Sequence, residues 1–284
     1  MSAFIEALVR ADVPFMRNAL FAGLLSSVLF GILGTVVTVR RIASLAGAVS
    51  HAVLGGIGMA LYLSALGIAP GFSPMAGALI FAILSAGIIG LVSLKAKQRE
   101  DTVINAIWAI GMSTGVLFMA KTPGYTDPQV YLFGNILLIS NWDLLLMAAL
   151  GIIVIILTWR FFPQIEASAF DEEFARVRGV PNAAVFLVLL AVTAVAIVLL
   201  QTFVGIVMVI AMLSLPSGTA GAFSRSIPSM MISSCVFSAL FSVLGLFLGW
   251  TFDIPVGAMT VIISGVIFLL VSGIKACIGN IRFL

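Results

Sequence analysis

Charge is what this sequence has least of. Fourteen Lys and Arg and eleven Asp and Glu make up 9% of 284 residues, against 62% hydrophobic residues. Soluble domains carry about 25% charged residues, and a mean hydropathy of +1.26 excludes a water-soluble globule, which could not cover so much apolar surface. Disorder, collagen and disulfide scaffolds fail as well, since they need charge, a Gly-X-Y period or many cysteines. Cys235 and Cys277, the two cysteines, both sit in apolar stretches and imply neither a disulfide framework nor a redox compartment. A net charge of +3 is loop charge at membrane surfaces and gives no reason to expect a nucleic acid partner.

Catalytic chemistry is missing too. There is no HExxH pair, no GxSxG elbow, no pair of intramembrane aspartates and no Walker-type GxxxxGK[ST], so the chain cannot itself use ATP and lacks the chemistry of an intramembrane hydrolase. All eleven acids lie in loops or at span ends. Proton-driven carriers place a carboxylate within the bilayer, and none is visible here. No cofactor is implied.

What is present is a series of apolar runs, at about 17–39, 47–69, 74–94, 103–120, 136–159, 183–201, 203–222, 230–250 and 257–275. Each is close to the roughly 20 residues that cross a bilayer as a helix. The expectation is an all-α, polytopic membrane protein of about nine transmembrane helices, one membrane domain over 1–284. The division between the sixth and seventh runs rests on the short Gln201–Phe203 break, so eight spans remain an alternative. Residues 1–16 lack the basic start and cleavage site of a signal peptide, and nothing is expected to be removed. One set of loops holds Arg40, Arg41, Lys95, Lys97, Arg99, Arg160, Arg176, Arg178, Arg225, Lys275 and Arg282; the other holds Arg10, Arg17 and Lys121. The positive-inside rule puts the richer set in the cytoplasm, with the N-terminus outside and the C-terminus inside. Trp142 and Trp250 then fall near outer ends and Trp159 near an inner end.

The one substantial polar insertion, 161–182, reads as a cytoplasmic helix of about ten residues. Ser168 is its expected N-cap, with Asp171 at capping-box spacing. Asp171, Glu172 and Glu173 sit where the helix dipole favours anions, and Arg176 and Arg178 where it favours cations. Gly179 takes the C′ position and Pro181 prevents continuation. Phe170, Phe174 and Val177 form one apolar stripe. That stripe rests either on the membrane domain or lipid surface, or in a groove of a cytoplasmic partner.

His51 is the sole histidine, near the start of the second span. Gly47, His51, Gly55 and Gly58 share one helix face, beside Ser50, with Tyr62 a turn further. Such a stripe either lets helices approach closely or leaves room for something to pass. His51 is a packing histidine or a metal or proton ligand lining a pathway, and one nitrogen alone is not a metal site. Gly111–Gly115 and Gly245–Gly249 read as helix-contact faces, and Pro216 is expected to break a membrane helix where Ser214, Ser217 and Thr219 cluster.

Five stretches, in order, resemble the metal-type (zinc/manganese/iron) permeases of ABC importers. They are Arg40-Arg41-Ile42-Ala43-Ser44-Leu45-Ala46-Gly47-Ala48-Val49-Ser50-His51-Ala52-Val53-Leu54, Glu100-Asp101-Thr102, Tyr131-Leu132-Phe133-Gly134-Asn135-Ile136-Leu137, Phe170-Asp171-Glu172-Glu173-Phe174-Ala175 through Gly179-Val180, and Val204-Gly205 through Pro216-Ser217-Gly218-Thr219-Ala220. The resemblance runs from about Phe15 to Lys275. It implies a non-catalytic permease subunit for divalent zinc, manganese or iron in a bacterial or archaeal cytoplasmic (inner) membrane. The implied partners are a second permease copy, a cytoplasmic ABC ATPase subunit and an extracytoplasmic metal-binding protein. Residues Phe170–Gly179 would be the ATPase-coupling segment, and His51 the histidine of the family's D-x-x-x-H pair on the ion path, with Gly47, Ser50, Gly55 and Gly58 as lining candidates. Gly47 stands where the family has Asp, which removes a hard oxygen ligand. The competing readings are a secondary carrier or channel not driven by ATP, and a non-transporting membrane assembly partner.

Overall fold

The computed structural model describes residues 14–95, 100–124, 128–134 and 139–281. Among these residues twelve helices follow one another: α1 Pro14–Val39, α2 Ala43–Ala65, α3 Pro74–Lys95, α4 Glu100–Lys121, α5 Pro128–Phe133, α6 Asn141–Arg160, α7 Phe162–Phe170, α8 Glu172–Val177, α9 Asn182–Val204, α10 Ile206–Gly221, α11 Ile227–Phe252 and α12 Val256–Ile281. No strand occurs among the described residues. Apolar side chains cannot satisfy backbone polar groups in lipid, so each segment must do so internally as a helix. Glu100, whose side chain is not described, Asn135 to Leu137, and the loop cations Arg10, Lys97, Arg99 and Arg282 lie outside the described residues or side chains.

Among the described residues eight helices are long and apolar enough to cross a membrane, one fewer than the nine runs. The run at 203–222 becomes α10, only 16 residues, about 24 Å at 1.5 Å per residue against a hydrocarbon core of about 30 Å. The expected break at Pro216 is also corrected, because α10 continues through it. Pro216 has no N–H for the Met212 carbonyl, yet the next turn stays in register. Ser217 Oγ there donates to the Ser214 carbonyl at 3.0 Å and meets Thr38 Oγ1 at 2.6 Å. The chain breaks instead at Gly205, with φ +83° and ψ 158°.

The contact pattern divides the chain into two compact units. The first comprises residues up to Arg40, 135–160 and Val207 onward. Within it α1 packs on α11 and α6, and α12 on α11. Asn18 Nδ2 donates to the Ile139 carbonyl at 3.0 Å and to Asn141 Oδ1 at 3.2 Å, tying α1 to the start of α6. Ser140 and Asp143 form a reciprocal cap there, with the Ser140 N–H donating to Asp143 Oδ2 at 2.9 Å and the Asp143 N–H to Ser140 Oγ at 3.3 Å, as capping boxes do. Gly245 and Gly249 pack on Thr260 and Val256 of α12, the helix-contact role read from their spacing.

The second unit is Arg41–Gly134 with Phe161–Ile206. Its centre is α2, which packs on α4, α3 and α9. Small residues let the backbones approach: a Cβ on Gly58 would stand 2.5 Å from the Gly115 carbonyl oxygen, and one on Gly115 2.6 Å from that of Leu54. Close approach of this kind substitutes for the hydrophobic drive that lipid does not supply.

Candidate metal path and coupling segment

His51 lies on α2, eight residues into the helix. Its ring packs against the Trp108 indole of α4, centroids 5.2 Å apart and planes tilted 59°, within the centroid range at which aromatic rings interact. Nδ1 is buried without a hydrogen-bond partner among the described residues. Beside it, Ser50 is fully buried and donates its hydroxyl to the Ala46 carbonyl at 2.9 Å, so its oxygen is engaged in its own helix.

The stripe through His51 divides in two. Nothing lies within 4 Å of a Cβ placed on Gly47, so the Gly47–His51 stretch borders open space. Gly55 and Gly58 are buried where α2 meets α4, and a Cβ on Gly55 would sit 2.8 Å from Thr114 Oγ1. Their geometry serves close helix approach, the first of the two roles considered for the stripe. Beyond His51, a groove of about 660 Å³ runs along α4 past Trp108, Met112, Ser113, Val116, Leu117 and Ala120. No group of three or more His, Cys, Asp or Glu side chains converges among the described residues. The imidazole therefore lies beside a mostly apolar groove, with no such cluster around it among the described residues.

The insertion between α6 and α9 is two short helices rather than the single expected one. Ser168 is not a cap; it is buried inside α7 and donates to the Ile165 carbonyl at 3.1 Å. Asp171 is the N-cap of α8, its Oδ1 accepting the Glu173 and Phe174 N–H groups at 2.9 Å each. A carboxylate two and three residues before those donors satisfies the orphan N–H groups more directly than Ser168 could. At the other end the Gly179 N–H donates to the Arg176 carbonyl and the Val180 N–H to that of Ala175. This is a Schellman closure, with Gly179 at φ +81°, and the expected C′ role of Gly179 holds.

Ala175 is fully buried, whereas Phe170 is 74%, Phe174 54% and Val177 86% exposed. Asp171, Glu173, Arg176, Arg178 and Gly179 are exposed around them, and the Glu172 side chain lies outside the described ones. The Arg178 guanidinium stands 5.1 Å from the centre of the Phe174 ring, a cation–π contact. A capped, rigid turn thus presents three bare apolar side chains ringed by charge, the anatomy of an interface core and rim.

Sequence reading missed Gln201. The sequence pattern puts it at the edge of an interhelical break, whereas it lies inside α9, 2% exposed. Its one visible signal was polarity within an apolar run.

Over residues 12–275 the sequence matches the ABC 3 transport family, and the chain belongs to it. A probable metal transport system membrane protein of Chlamydia muridarum is 34% identical over 90% of this chain and 88% of its own. The manganese import system permease protein ScaB of Streptococcus gordonii is 30% identical over 94% and 92%. Among solved structures, PsaBC from Streptococcus pneumoniae in complex with Fab superposes with a TM-score of 0.82 at 30% identity, covering 95% of this chain and 94% of that one. The chain is a multi-pass membrane protein of a metal-transporting ABC permease family.

Proposed function

We propose that the chain is the non-catalytic, membrane-spanning permease subunit of an ATP-driven importer for a divalent transition metal ion. The whole chain acts as one permease domain in a bacterial or archaeal cytoplasmic membrane. Its N-terminus is outside and its C-terminus inside, and two copies form the translocation path. An extracytoplasmic metal-binding protein delivers the ion, and a cytoplasmic ABC ATPase drives it. The name of ScaB supports manganese as the cargo.

The observation that carries this reading is the exposed Phe170, Phe174 and Val177 patch on the doubly capped α7–α8 turn. Three large apolar side chains outside the spanning helices, held by Asp171 and Gly179, are what a groove on an ATPase would grip. His51 is the path ligand in this scheme. A neutral imidazole with no fixed partner at Nδ1 can accept and release an ion quickly, and a path site must release as readily as it binds.

Reconstitution tests it. The permease with its ATPase and binding protein in liposomes should accumulate manganese only with ATP. Phe174→Asp, which would put an unpaired charge into the groove, should insert normally yet lose both ATPase association and uptake. Co-purification of the ATPase at wild-type yield would sink the coupling assignment.

A further inference from the structure

His51 and Trp108 meet where the backbones of α2 and α4 touch. Gly111, one turn after Trp108, lies against the backbone of Ala52, the residue after His51, and a Cβ on Gly55 would stand 2.9 Å from the Gly111 carbonyl oxygen. With no side chain on either glycine to hold the helices apart, their register is set by backbone contact. That register brings the indole onto the imidazole, centroids 5.2 Å apart and planes tilted 59°. Trp108 is 45% exposed and also lines the groove along α4, so one side chain both covers the imidazole and borders the open space beside it.

A histidine that binds a metal ordinarily has its ring held by a hydrogen bond from the other nitrogen to a carboxylate, a carbonyl or water. Here no protein group does this among the described residues. Nδ1 is buried without a partner. Gly47, one turn earlier on the same face, has no side chain to offer. Ser50 donates to the Ala46 carbonyl of its own helix, and Thr114 of α4 donates to the Ile110 and Gly111 carbonyls of its own. What the imidazole does have is a flat aromatic neighbour, held at fixed distance by the Gly111–Ala52 contact.

We infer that Trp108 is the positioning residue of His51, its indole holding the imidazole plane in the orientation that takes a metal ion. It does by ring packing what a hydrogen-bonded partner does elsewhere, and it acts on the ion only through His51. The inference rests on the reading of His51 as a path ligand. A phenyl ring can present the same kind of flat face; a leucine fills the space but leaves the imidazole free to turn.

Because His51 is the sole histidine, the full chain with carbon-13-labelled histidine, purified through a histidine-free tag into phosphatidylcholine nanodiscs, gives magnetic resonance signals from one imidazole. Zinc(II) alone, which is diamagnetic, is titrated in. Trp108→Leu should weaken zinc binding at His51 by about tenfold or more, as removal of an orienting partner does at metal-bound histidines. Trp108→Phe should bind nearly as tightly as the parent. Before zinc is added, the ring protons should be displaced by the neighbouring aromatic ring in the parent and Trp108→Phe, and not in Trp108→Leu, while all three melt at similar temperatures. Equal zinc affinity in the three proteins would overturn the positioning role and leave His51 a ligand with the importer reading intact. If zinc moves the His51 signals in none of them, the positioning role and the path role fall together. If the affinities separate as expected while the assembled transporter moves no metal, Trp108 keeps its role and the importer reading falls.

Discussion

Gly47 and Gly58 stand on one helix face, and the same residue type does opposite work at the two places. Space is open around Gly47, and the Gly115 backbone fills it at Gly58. Gly58→Ala should therefore overpack the α2–α4 contact and cost about 1–3 kcal/mol, read as a lower melting temperature of the purified protein. Gly47→Asp should fold, because a side chain there meets nothing. Carboxylate and imidazole would then lie four residues apart on one face, near enough to share an ion. Equilibrium dialysis with zinc or manganese should find more metal on Gly47→Asp than on the parent, and His51→Ala should cut uptake severely while expression persists. Unchanged uptake in His51→Ala, with no added metal on a well-folded Gly47→Asp, would make this face a packing surface.

Among the elements, α8 is the one whose formation depends most on its ends. Six residues are far too few to be helical alone in water, so Asp171 at one end and Gly179 at the other hold it. Asp171→Ala should cost about 0.5–2 kcal/mol of local stability, seen as faster amide exchange at Glu173 and Phe174 with the spanning helices unaffected. At Gly205 the constraint is harsher. Positive φ and contact with the Phe133–Gly134 backbone leave no room for a side chain, so Gly205→Ala should sharply lower the yield of folded protein. A wild-type yield would mean the crossing can open at little cost.

For the whole molecule, orientation is tested by labelling intact cells with an impermeant thiol reagent. In a background lacking Cys235 and Cys277, a cysteine replacing Lys121 should react, and one replacing Glu173 should not. Both positions are exposed at helix ends outside the apolar interior. A cysteine replacing Arg225, between α10 and α11, decides whether the 16-residue α10 crosses. Protection there is expected, and labelling from outside would make α10 re-entrant and reverse the direction of α11 and α12.

Sequence alone determined the solvent and the class of fold. With so little charge and apolar runs of about twenty residues, the chain must fold as membrane helices, whatever their packing. Among the described residues, eight of the nine runs became helices long and apolar enough to span, and the glycine pairs at Gly111–Gly115 and Gly245–Gly249 became contact faces, because close approach is encoded by the missing side chain itself. Family motifs singled out His51 and the Phe170–Gly179 segment as candidates. Tertiary structure decided what depends on neighbours distant in the chain. Gly55 and Gly58 packed while Gly47 stayed open, because the α4 backbone fills the space beside the first two and nothing meets the third. Proline did not end α10, whereas Gly205 ended α9, because the Phe133–Gly134 backbone lies against it. Gln201 was buried inside α9 rather than exposed in a turn. Nothing local encodes that outcome, since burial of a polar side chain is set by what packs on it.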